Sequence, residues 1–409
     1  MAQSVTFRQV FRNRRYLTLW LALLVSNFGD WLALLALLSL VAFRWHGTPK
    51  EVSGLLISAI LPWAVMGSLA GVFVDRWNVK RTMIASDLIR AGIAALLPLA
   101  AGFSQLYGLY FLLSLATCFF QPAQNVALRL IVPQEELLVA NAINAQTMQL
   151  NKILSPAVAG LLVAAAGERA CFYLDSFSFV FSAAMVGLMA IRREAAPSGA
   201  GWGSVLAQLG EGLRFIAGHR AVAFTMGTVV CAMFSLGAAD ALFVVYVRDV
   251  LKGQSPLFGA VVSLVGAGTI VGALLVGRWG QRAPKVHLVT AGLGGLGLGI
   301  LLLAWTSRSL LALAGCVGLG LAVAVVLVPA QTLIQQETPP AMLGRTSSTF
   351  SSLTTLAQLT SIAAAGAIAS WIGIRGLYAL VALMLLAVAV LGQAYLRLSR
   401  PVEVKPSSA

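Results

Sequence analysis

The chain has 409 residues, 59% of them hydrophobic and only 10% charged, and its 28 Lys and Arg against 14 Asp and Glu give a net charge of +14. Soluble domains carry about 45–50% apolar and about 25% charged residues, so this composition excludes a water-soluble fold. A basic excess of this size would suggest nucleic acid in a soluble chain, but in a membrane chain the placement of the charges outweighs their sum, and no nucleic-acid partner is expected.

Twelve apolar runs follow one another at about 17–43, 52–74, 83–101, 106–131, 140–166, 170–191, 221–247, 256–277, 287–305, 309–334, 346–370 and 374–396. Most reach the roughly 20 residues that a helix rising 1.5 Å per residue needs to cross about 30 Å of hydrocarbon. None alternates with period two as a barrel strand would, so they predict helices. The expected fold is an all-α polytopic membrane protein with 12 transmembrane helices. Arg12-Asn13-Arg14-Arg15 precedes the first run, but that run is long and no small-residue cleavage site follows, so it reads as an uncleaved span rather than a signal peptide.

Lys and Arg fix the expected topology. With the N-terminus in the cytoplasm, the inner segments 1–16, 75–82, 129–139, 192–220, 278–286, 335–345 and 397–409 hold 19 of the 28, the outer loops hold 7, and Arg90 and Lys152 lie inside helices. The positive-inside rule then places both termini in the cytoplasm of a multi-pass protein of the bacterial inner membrane. The lipid bilayer is its first partner, and the inner basic loops suit anionic headgroups. Cys118, Cys171, Cys231 and Cys316 are scattered over four apolar runs without metal or redox spacing, and read as packing residues.

The longest polar connection, 192–220, divides the chain six plus six: an N-terminal bundle over 1–191, a cytoplasmic central loop over 192–220 and a C-terminal bundle with a short tail over 221–409. Leu206, Leu209, Leu213 and Ile216 share one helical face, which predicts a short amphipathic helix on the inner membrane surface. The two halves echo each other. Pro122-Ala123-Gln124 recurs as Pro329-Ala330-Gln331 and Pro133 as Pro340; Asp75-Arg76-Trp77 with Lys80 is answered by Gly277-Arg278-Trp279 with Arg282; and Ser26 to Asp30 is loosely matched by Leu236 to Asp240. Matches in order at near-constant offset predict duplicated six-helix units, which can rock about a midplane site.

Between spans 2 and 3 the chain reads Gly71-Val-Phe-Val-Asp75-Arg76-Trp77-Asn78-Val79-Lys80-Arg81. This resembles the signature loop of the major facilitator superfamily. Asn27-Phe-Gly-Asp30-Trp31, Gln121-Pro-Ala-Gln124-Asn125 and Glu211-Gly-Leu-Arg-Phe-Ile216 resemble the drug:proton antiporter branch with macrolide efflux proteins and siderophore exporters. The resemblance implies two pseudo-symmetric six-helix bundles. It also implies that Gly71 lets spans pack closely while Asp75, Arg76, Lys80 and Arg81 latch the halves on the cytoplasmic side. Asp87 and Arg90, three apart at the start of span 3, either join that latch or pair with each other. One stretch departs from the branch: in span 5, where exporters carry Gly-x-x-x-Gly-Pro-x-x-Gly-Gly, this chain has Ser155-Pro156-Ala157-Val158-Ala159-Gly160.

A charge within hydrocarbon is costly, so each one is a functional candidate. Asp30 lies about 14 residues into span 1, roughly 20 Å from its start, near Ser26 and Asn27, and is the leading coupling group. Asp240 occupies the corresponding depth of span 7. Lys152 in span 5 needs an acidic partner, and an ion pair with Asp30 is expected, either working or as a static strut. Asp175, near the outer start of span 6, reads as a helix-end residue. For substrate contact the candidates are Asn27, Trp31, Trp63, Gln121, Gln124, Asn125, Asn144, Gln149, Asn151, Gln331 and Gln358, a set of amides and aromatics that suits a large, mostly apolar, hydrogen-bonding small molecule.

There is no phosphate-binding Gly-x-x-x-x-Gly-Lys-Ser/Thr loop, so ATP is not the energy source; the glycines between Gly292 and Gly299 lie in an apolar span and predict close helix packing. His46, His219 and His287 are dispersed, and neither a metal nor a cofactor is expected beyond a proton gradient. The reading is a non-enzymatic, monomeric secondary transporter exporting a hydrophobic or amphipathic small molecule against protons by alternating access. Sodium coupling, a lipid or lysophospholipid flippase of the same fold, and a non-transporting sensor or scaffold stand as alternatives.

Overall fold

The computed structural model describes residues 7–190, 210–211, 213–214, 216–280 and 284–398. Most of the central connection, including Leu206 and Leu209 of the expected amphipathic helix, lies outside the described residues.

Every regular element described is helical: α1 (Phe7–Arg12), α2 (Arg14–Ser39), α3 (Pro49–Arg76), α4 (Val79–Leu96), α5 (Phe103–Ile131), α6 (Leu137–Ala166), α7 (Glu168–Leu188), α8 (Arg220–Ala241), α9 (Phe243–Asp249), α10 (Ser255–Trp279), α11 (Lys285–Trp305), α12 (Ser309–Glu337) and α13 (Pro340–Leu398). Local signals set several starts. Asn13 caps α2 by accepting from the amides of Arg15 and Tyr16, Asn78 caps α4 by accepting from Arg81, and Thr48 with Glu51 forms a capping box ahead of Pro49. A π turn over Leu40–Arg44 extends α2 to its far end.

Among the described residues eleven helices are long and apolar enough to cross a membrane, against the twelve expected. The difference is α13, where two helical runs join at Gly373, whose φ of 75° and ψ of 168° break the helix without an intervening loop. Gly167, between α6 and α7, has nearly the same conformation, φ 78° and ψ 170°. Its place in the first half corresponds to that of Gly373 in the second. Pro122 and Pro329, the repeated prolines, both sit inside their helices, α5 and α12.

Within the first half, α2 packs on α6 and α7, α4 on α5 and α7, and α3 on α5; within the second, α12 lies between α10 and α11, and α13 packs on α8 and α11. The glycine run of α11 packs closely as expected: a Cβ at Gly292 would press on the backbone of Val325 and Val326, and one at Gly297 on Leu386. The halves meet where α6 faces α10 and α3 faces α13. Gly160 is the small residue that seats α6, since a Cβ there would come within 2.7 Å of the Ser255 carbonyl, and Gly259 seats α10 against the Pro156 carbonyl. Ser39 and Ser255 join their hydroxyls at 2.7 Å, and Arg248 donates to the carbonyls of Ala42 at 2.8 Å and Gly47 at 2.7 Å. These contacts lie at the end of the helices opposite the 71–81 loop.

Candidate functional site

Asp30 stands in the middle of α2 with its side chain 31% exposed. Gly29 beside it lets α7 approach, because a Cβ there would lie 2.6 Å from Oδ1 of Asp175. From α4, Asp87 and Arg90 project from one face, three residues apart, and form an ion pair with both side chains sealed from solvent. The Arg90 guanidinium is held between two rings, Phe120 of α5 and Phe179 of α7, each centroid 4.3 Å away. Its Nη1 reaches to 3.8 Å from Oδ2 of Asp30. Asp175, fully buried on α7, completes the group. Three carboxyl groups and one guanidinium thus gather in the first half.

Asp30 and Asp175 line one cavity of about 260 Å³ together with Trp31, Trp63, Tyr110 and Thr117. The wall is aromatic and aliphatic with a few polar groups, the usual make-up of a small-molecule site.

Several sequence expectations are corrected here. Asp30 is paired with Arg90 rather than Lys152, because the neighbouring helix α4 brings its guanidinium to the carboxylate while Lys152 stands over the Trp31 ring, 5.8 Å from its centroid. The charge of Lys152, on α6, is felt instead at Asp240 on α8. Asp175 is not a helix-end residue, lying a third of the way along α7 against α2. Of the two alternatives for Asp87 and Arg90, the structure has the pair with each other, buried inside the bundle.

At the start of α4, Lys80 Nζ donates to the Gly187 carbonyl of its own half at 2.6 Å. Arg76 and Arg81 are exposed, and the Asp75 side chain lies outside the described residues. A Cβ at Gly71 would meet nothing within 4 Å, so the close packing expected of it is not made in this conformation.

Of the amides proposed for substrate contact, two bond to protein. Asn151 is buried and donates to the Leu24 carbonyl at 3.1 Å, and Asn144 accepts from the Tyr16 hydroxyl at 3.3 Å, both joining α2 to α6. Asn27 and Gln124 are half-buried, while Gln121, Asn125, Gln149, Gln331 and Gln358 are exposed along their helices. Trp31 and Trp63 line the cavity. Sequence reasoning missed Tyr110 and the placement of Asp175; the one available signal was an aspartate in an apolar run.

An all-helical bundle with a charge cluster beside a cavity at mid-depth defines a polytopic membrane transporter of the major facilitator fold. Over residues 6–408 the chain matches the family described as transmembrane secretion effector, and it belongs to that family of the major facilitator superfamily. It is 30% identical to an uncharacterised MFS-type transporter, YfiS, of Bacillus subtilis, over 90% of each chain. It is 25% identical to macrolide efflux protein A of Streptococcus pyogenes, over 86% of this chain and 89% of that one. With the multidrug efflux pump Tap of Mycolicibacterium fortuitum it shares 25% identity over 85% and 89%. The crystal structure of the nucleoside transporter NupG superposes with a TM-score of 0.76 at 13% identity, covering 93% of this chain and 98% of that one, a likeness of fold alone.

Proposed function

We propose that this major facilitator transporter exports a hydrophobic or amphipathic small molecule in exchange for protons. The observation that carries the reading is the position of Asp30: it opens onto an aromatic-walled cavity in the membrane and shares a guanidinium with a sealed Asp87. A proton on Asp30 removes the charge that faces Arg90, and loss of the proton restores it, so that substrate and proton act on the same cavity wall.

The repeat of sequence and of the Gly167 and Gly373 turns supports two six-helix bundles, 1–191 and 221–409, joined by the central loop. The serine, arginine and glycine contacts at one end support a conformation closed on that side, with both termini and the 71–81 loop on the cytoplasmic side of the inner membrane. Rocking about the midplane then exposes the cavity alternately, and in the other conformation Asp75, Arg76 and Arg81 latch the cytoplasmic ends. A cavity of about 260 Å³ holds one apolar portion of a substrate of macrolide, dye or siderophore size, and the rest extends between the halves toward Lys152 and Asp240. The relatives that export macrolides and several drugs support that class. No cofactor or second subunit enters the cycle.

The test is accumulation in cells. Cells making the wild-type chain should retain less of a macrolide, a cationic dye or a siderophore than cells making Asp30→Asn at equal membrane abundance, and a protonophore should erase the difference. Equal retention for every compound would refute export.

A further inference from the structure

We propose that Asp175 is a second proton-carrying carboxyl of the cluster, so that the site exchanges two protons, on Asp30 and on Asp175, beside a fixed Asp87–Arg90 ion pair. This deepens the proton-coupled reading above and rests on it only for its use in transport.

Charge count and bonding carry the inference. Asp30, Asp87 and Asp175 face one guanidinium, so full ionisation would leave two net negative charges inside the bundle, where charge is expelled unless paired. Asp87 takes Arg90 by direct contact, and Asp30 shares it at 3.8 Å. Asp175 has neither. Its Oδ2 is buried with no hydrogen-bond partner among the described residues, and its Oδ1 lies 3.4 Å from the Ser178 hydroxyl. That hydroxyl has one proton, and it lies closer, at 2.7 Å, to the backbone carbonyl of Asp175. A buried carboxyl with one oxygen unbonded and the other offered only a long, shared hydroxyl contact is poorly compensated as an anion.

The surroundings give the proton a way in and out. Asp175 is fully buried yet lines the same cavity as Asp30, which is 31% exposed, so exchange with water runs through the cavity and past Asp30. The titratable and charged groups near Asp175 are Asp30 from α2, Arg90 from α4, Tyr110 from α5 and Cys171 on α7 itself. Ionisation of one aspartate opposes ionisation of the other across the shared cavity, so the two protons leave in separate steps. Gly29 is what permits this arrangement, since any side chain there would occupy the space of the Asp175 carboxyl.

Infrared difference spectra of the full-length protein in lipid, recorded across a pH titration, read protonated carboxyl bands directly and need no substrate. Asp30→Asn and Asp175→Asn should each remove one titrating buried band from the wild-type spectrum, and the double variant both. If Asp175→Asn is not recovered folded, Asp175→Glu keeps the carboxyl and should shift one band. A titrating spectrum unchanged by either Asp175 substitution overturns the proposal and leaves transport resting on Asp30 alone. Two titrating bands in a protein that moves no proton in transport would keep the two-proton site and sink the transport reading.

Discussion

Arg90 on α4 reaches Asp30 on α2 at 3.8 Å while its other guanidinium nitrogen is bound to Asp87, one turn away on its own helix. One cation therefore serves a sealed carboxylate and an accessible one. The two rings on either side of it, Phe120 and Phe179, leave the guanidinium no room to follow Asp30 if that carboxyl moves or changes charge. The ion pair with Asp87 is thus fixed, and the interaction with Asp30 is the one that can vary.

Breaking the fixed pair from one side should cost more than deleting it. Arg90→Met leaves Asp87 buried and uncompensated, with a loss of about 3–5 kcal/mol expected for such a change. It should appear as a lower thermal midpoint and poor recovery in detergent. Arg90→Met with Asp87→Leu should regain most of that stability while remaining inactive. A double variant no more stable than the single would show that Asp87 is not the group that needs Arg90.

The serine pair offers a trap. Ser39 and Ser255 come from opposite halves with their oxygens 2.7 Å apart. Cysteines at both positions should cross-link under mild oxidation, and transport should stop and return on reduction. A cross-linked protein that still transports would mean that the halves do not part at this end.

Gly259 faces the backbone of Pro156 and Gly160, and a side chain cannot be added without separating α6 from α10. Overpacking of this kind costs about 1–3 kcal/mol. Gly259→Leu should shift the protein toward the conformation parted at this end. A cysteine at Ser39 should then react faster with a membrane-impermeant maleimide, and an unchanged rate would contradict the role given to the glycine.

The aromatic wall should set affinity and leave coupling intact. An aromatic contact contributes about 0.5–1.5 kcal/mol beyond its buried area. Trp63→Ala should therefore raise the KM for export about two- to tenfold, with the proton-to-substrate ratio unchanged. A loss of coupling at unchanged KM would place Trp63 in the proton path instead.

Depth along the chain was legible in the sequence, and neighbourhood was not. The apolar runs, the break before residue 374, the mid-span place of Asp30 and the two tryptophans of the cavity follow from hydropathy and from the cost of charge in hydrocarbon. Which helix face meets which depends on packing between spans far apart in sequence. For that reason Lys152 was matched to Asp30, although it bears on Asp240. Spacing alone leaves Arg90 open between the latch and a pair with Asp87; the side chain makes that pair and lies against two rings within the bundle. Asp175 was given to a helix end because it lies eight residues after Gly167, and only Gly29 opposite it reveals that α2 is pressed against that turn of α7.

The most direct test of proton-coupled export is flux in liposomes. The wild-type protein, reconstituted with an imposed pH gradient, should move protons on addition of a macrolide, a cationic dye or a siderophore that it exports from cells, and Asp30→Asn, recovered folded, should not. Substrate-driven proton movement equal in the two proteins, or export from wild type that ignores the pH gradient, would contradict the account.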